Sequence, residues 1–171
     1  MSPTRNTLAV AKAIQVDVSS LVGPPEEGNR SQTQSVILMS LVRGTRGYIE
    51  KVSNQINGAY ENGWFDACAV MIRRLIETLI IEAFEHHGIA SKIKRTGSDD
   101  FFYLGDLIDK TLAEPSWNLG RNVRRALPKL KDLGDKSAHS RRYIAQRGDI
   151  QPLLKEIRVV VQELLYIAKL K

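Results

Sequence analysis

At 171 residues, with 43% apolar and 26% charged side chains, the chain is long enough to bury one core of several helices and has the balance of an ordinary globular domain. Its formal net charge of +6 and pI near 9.5 favour polyanionic partners, and no apolar run approaches the roughly 18–20 residues of a membrane span. A single cysteine, Cys68, excludes an internal disulfide, and Arg5 is not followed by the sustained apolar region of a secretory leader, so the composition predicts a cytoplasmic protein.

Residues 1–33 read as an arm: "LAVAKAIQVDVSSLV" suits a short helix or an extended segment, and "GPPEEGNRSQTQS" suits a linker. The compact domain is expected over residues 34–171. In its first helix Ile49, Val52, Ile56 and Tyr60 recur at helical spacing, Gly44 and Gly47 loosen the start, and Gly63 closes the end. The second helix, residues 65–87, has one apolar stripe from Phe65 to Ala83 and a second through Val70, Met71, Leu75, Ile81 and Phe84, which predicts burial on much of its circumference. Cys68 falls inside that pattern and reads as a small buried hydrophobe. His86, His87 and Gly88 suit its C-terminal cap, and adjacent histidines point apart on a helix, which argues against a metal pair.

Ser98 or a following aspartate is the expected cap of a short helix carrying Leu104, Leu107, Ile108 and Leu112, closed by Pro115. A fourth helical segment places Leu119, Val123, Ala126, Leu127, Leu130 and Leu133 on one face, with a kink or break expected at Pro128. The last helix is capped by Asp149 and carries a stripe from Ile150 to Ala168. Trp64 and Trp117 read as packing anchors ahead of helices, and Tyr103 and Tyr143 as core-edge residues. No stretch alternates like a half-buried strand. The pattern is all-α, an up-and-down helical bundle of about four to five main helices.

The charge is concentrated. Residues 119–147 carry nine Arg and Lys against Asp132 and Asp135, so this segment nets +7 and the rest of the chain about −1. Such a stretch attracts nucleic acid, or forms a solvated helix face. Inside it lies "GDKSAHSRR", residues 134–142. On a continuing helix Asp135 and His139 are i and i+4, a pairing that holds one histidine tautomer and suits proton transfer near neutral pH. Arg141 and Arg142 suit bidentate phosphate binding and Lys131 a point charge, with Arg124 and Arg125 extending the basic surface. These are parts for metal-independent RNA cleavage. They equally suit a helix end locked by Asp135 and His139 with solvent-facing arginines, and Gly134 suits a backbone bend. Arg73 and Glu77 are spaced for an i, i+4 ion pair. There is no Gly-rich phosphate loop, CxxC pair or HExxH, so neither a cofactor nor a metal is expected.

The succession of "MIRRLIETLI" in a buried helix, "ALPKLKDLGDKSAH" in a later one and a capped final helix resembles the HEPN superfamily (higher eukaryotes and prokaryotes nucleotide-binding) over residues 35–170. In particular it resembles an uncharacterised prokaryotic branch often fused to restriction-enzyme subunits. That branch tends to carry Arg-x-x-Leu-Glu, approximated here by Arg74, Leu75 and Glu77, or by Arg73, Ile76 and Glu77. It also carries Gly-Asn-x-Ala-Ala-His, at which Gly134, Asp135, Ala138 and His139 stand. The resemblance implies a homodimer acting near RNA or DNA in a defence or stress setting, with Glu77 orienting the later motif from a neighbouring helix. Catalytic members resemble endoribonucleases with Arg-polar-x-x-x-His; Asp135 and His139 match the last two elements, while Gly134 occupies the arginine position. The expected function is a nucleic-acid-associated module without strong catalysis. The alternatives are a metal-independent endoribonuclease using His139, and a protein-interaction bundle docking an acidic partner.

Overall fold

The computed structural model describes residues 35–171; the arm expected at 1–33 lies outside the described residues. Helices run in the order α1 (Met39–Val42), α2 (Gly47–Glu61), α3 (Phe65–His86), α4 (Leu104–Ala113), α5 (Arg121–His139), α6 (Arg147–Ile150) and α7 (Leu154–Ile167), with single 3₁₀ turns at Ala90–Ile93 and Gln151–Leu153. Extended pairing among the described residues is limited to one bridge, Lys94 with Phe101. The all-α expectation holds.

The bundle is built around α3, which packs on α2, α5 and α7. Leu75, Ile76, Leu79, Ile80 and Phe84 are almost fully buried, while Val70, Met71 and Ile81 are half-buried at its edge. Both expected stripes therefore face protein, the first more deeply. Gly63 and Gly88 close α2 and α3 at φ of 74° and 68°, the left-handed region in which a Cβ crowds its own backbone. Beyond α3 the His87 ring bonds the Ile167 carbonyl, Nε2 to O, at 3.0 Å, which ties the ends of α3 and α7 together. Phe84 meets Trp117 edge-on with ring centroids 4.6 Å apart, so the loop ahead of α5 is anchored in the core. Chain direction alternates through α2, α3, α5 and α7, which makes the bundle up-and-down.

Several local expectations are corrected. Of the kink or break expected at Pro128, the break is absent: α5 runs through it as one helix. The proline is exposed on the outer face of α5, while Ala126, Leu127 and Leu130 on either side of it are buried and hold the helix to the core. Ser98 does not cap α4. Its hydroxyl bonds Asp100 within a tight turn, and a short hairpin closed by Phe102 N–H to the Ile93 carbonyl (2.9 Å) separates that turn from the helix at Leu104. Asp149 caps only the one-turn α6, accepting the Gln146 N–H at 2.8 Å; Pro152 then forces a 3₁₀ turn before α7. Trp117 is the anchor expected, but Trp64 is 56% exposed and Tyr103 71% exposed, so neither packs as predicted.

Candidate nucleic-acid interface

Gly134 explains how α3 and α5 come together. It is buried within α5 rather than bending its end, and a Cβ built there would lie 2.6 Å from Arg73 Cβ and 3.2 Å from the Ala69 carbonyl oxygen. The glycine permits a close helix crossing. It also leaves Arg73 free to reach along α5: Arg73 Nε donates to Asp135 Oδ1 at 2.7 Å and Arg73 Nη1 to Glu77 Oε2 at 3.4 Å. Lys131 Nζ donates to the other Asp135 oxygen at 2.7 Å. The expected Arg73–Glu77 pair thus forms, and it extends into a chain Glu77–Arg73–Asp135–Lys131 that joins the two resembling segments.

This chain dismantles the expected pair of Asp135 and His139. Both Asp135 oxygens are engaged by cations, and among the described residues His139 is exposed and makes no hydrogen bond. Burial pushes the Asp135 carboxyl up, but the hydrogen bonds from Lys131 and Arg73 outweigh it and hold the group below its usual 3.8. The same bond raises the Lys131 ammonium. A lowered carboxylate stabilises the fold at pH values above its unfolded pKa, and that contribution is lost as pH falls through the folded pKa. Asp135→Asn is therefore expected to lower the urea midpoint at pH 7, with the gap to wild type narrowing below about pH 4. Urea titrations at the two pH values check this.

The basic residues divide into groups with different tasks. Arg124 is spent on structure, its Nη1 donating to the Leu112 carbonyl at 3.0 Å and its Nε to that of Leu119 at 3.2 Å, so it ties α4 to the start of α5. Lys131 is spent on Asp135. Arg147 stacks over Tyr60 and Phe65, at 4.9 and 5.4 Å from the ring centroids. Arg141 and Arg142 are exposed in the loop after α5, which is pinned to the start of α3 by Ala145 N–H donating to Asp66 Oδ1 at 3.0 Å.

What remains is a polar stripe on the outer face of α5. Asn122, Arg125, Lys129, Asp132, Lys136 and His139 are all exposed and follow one another at alternating steps of three and four, which places them on one side of the helix. Gly120 N–H donates to Glu163 Oε1 at 2.5 Å, setting the start of α5 against the end of α7, and the two helices run antiparallel. Between them lies a furrow of about 320 Å³ lined by Asn122, Arg125, Ala126, Lys129, Lys155, Glu156 and Val159. Arg125, Lys129 and Lys155 form no ion pair among the described residues. Three cations without ion pairs against Glu156 give the furrow an excess of positive charge.

The sequence reading found Arg125 in this role but not Lys155, which stands outside the basic segment and joins it only through the α5–α7 packing. Its signal was the step from Lys155 to Val159, Gln162 and Tyr166, a line parallel to the apolar stripe of α7. No group of three or more His, Cys, Asp or Glu among the described residues is placed to hold a metal ion, and none of their helices is long and apolar enough to cross a membrane. No family model, curated protein or solved structure matches the chain.

Proposed function

We propose that the chain is a HEPN-like helical module that associates with RNA or DNA through the outer face of α5, without strong catalysis. The observation that carries this reading is the furrow in which Arg125, Lys129 and Lys155 converge with no carboxylate engaging them. The family assignment draws support from the Arg73–Asp135 contact at 2.7 Å, which joins the two segments on which the resemblance rests. A cytoplasmic, prokaryotic defence or stress setting and a homodimer follow from that assignment and from the cysteine-poor, basic composition. Weak catalysis follows from two features: Gly134 has no room for a side chain, and His139 has no carboxylate to orient it.

The test is binding and cleavage of end-labelled single-stranded RNA in EDTA across a salt series. Three phosphate contacts give a slope of log affinity against log salt of about −2, or roughly a tenfold to twentyfold loss between about 50 and 200 mM salt. Intact RNA with that salt dependence is the expected result. Metal-independent cleavage abolished by His139→Ala would replace this reading with the endoribonuclease. Absence of binding at low salt would leave the basic face to an acidic protein partner.

A further inference from the structure

The furrow does not end with its cations. Along α7, Lys155, Val159, Gln162 and Tyr166 follow one another at steps of four, three and four, which sets them on one face over about 16 Å. Val159 borders both the cationic furrow and a second depression of about 390 Å³ lined by Gln162, Glu163, Tyr166 and Lys171, so the two adjoin along α7. One end is cationic. At the other stands an aromatic ring 64% exposed.

The chain leaves α7 through Lys169, whose φ of 52° closes a left-handed C-terminal cap: its N–H donates to the Tyr166 carbonyl at 3.1 Å and the Leu170 N–H to that of Leu165 at 3.0 Å. The Lys169 ammonium lies over the Tyr166 ring, 4.6 Å from its centroid. Glu163, which borders the depression, is already turned onto the Gly120 N–H.

We infer that this furrow is a track for a single-stranded nucleic acid, with backbone phosphates on Arg125, Lys129 and Lys155 and a base stacked on Tyr166. The inference rests on the nucleic-acid reading above and narrows it. Cations alone accept duplex and single strand alike. An exposed ring discriminates, because only an unpaired base offers it a free π-face. Glu156 and Gln162, between the two ends, add polar groups along the path.

The test uses the full chain and fluorescein-labelled oligonucleotides of about 12 residues: single-stranded RNA, single-stranded DNA of the same sequence, and the corresponding DNA duplex, followed by anisotropy at low salt. Single strands are expected to bind more tightly than the duplex. Tyr166→Ala is expected to lose about tenfold on the single strands and nothing on the duplex, while Tyr166→Phe keeps the wild-type affinity. Tyr166 is exposed, so both variants should melt with the wild type, and circular dichroism checks it. Binding to either sugar supports the track, and the tighter complex names the strand. Equal affinity for duplex and single strand, or a Tyr166→Ala variant with undiminished single-strand binding, overturns the track and leaves the nucleic-acid reading standing. Failure of every oligonucleotide to bind the wild type overturns both.

Discussion

Gly134→Ala is expected to destabilise the protein by about 2 kcal/mol, although alanine is the better helix former. The methyl group would sit 2.6 Å from Arg73 Cβ, an atom fixed close to the α3 backbone, and 3.2 Å from the Ala69 carbonyl. Neither neighbour is the far end of a flexible side chain, so the helices themselves must separate. Overpacking of this kind costs up to about 3 kcal/mol, and the gain in helix propensity returns about 1. Thermal melts should show a fall of several degrees. Arg73→Gly in the same chain removes the opposing Cβ, so the double variant should be more stable than the sum of the single effects requires, which a double-mutant cycle measures. Gly134→Arg, which would complete the Arg-polar-x-x-x-His pattern, should fail to fold rather than gain nuclease activity.

The second large effect is functional. Arg125→Glu with Lys129→Glu replaces two of the three furrow cations by anions on an exposed helix face. Nucleic-acid affinity at low salt should fall by about two orders of magnitude, and the salt slope for a single strand should shrink by about 1.4. Fold stability should stay within about 0.5 kcal/mol of wild type, because among the described residues neither side chain makes an ion pair or packs in the core. Lys131→Glu makes the contrast: it strikes the chain of ion pairs at Asp135, so it should alter the melt before it alters binding. Anisotropy titrations at several salt concentrations, paired with melts, separate the two.

The helices were legible because their apolar residues obey a 3.6-residue period, and burial along α3 and α7 follows that period closely. Local signals failed where tertiary context outranked them. Pro128 disfavours a helix locally, but packing of Ala126, Leu127 and Leu130 on the core holds α5 together across it, which the local sequence does not show. Gly134 was read as a bend because a glycine near a helix end has a local explanation; its real reason is a second helix 61 positions earlier in the chain, at Arg73. Asp135 and His139 were spaced to pair, but spacing gives proximity and not partner choice. Arg73 and Lys131 engage both Asp135 oxygens and leave none for His139. Lys155 was missed for the same reason as Gly134: it acquires meaning only across a packed interface.

Cys68 sits in α3 one residue before Ala69, whose carbonyl presses against Gly134; it is fully buried, and burial pushes its thiol up to about 12. In the closed protein it offers neither a thiolate nor a path for a reagent. As the sole cysteine of the chain, it can be reached only when the central helix comes away from its neighbours. The protein therefore carries an internal clock of its own opening, one that stays silent while the surface loops fray and starts when the first turn of α3 comes away from its neighbours.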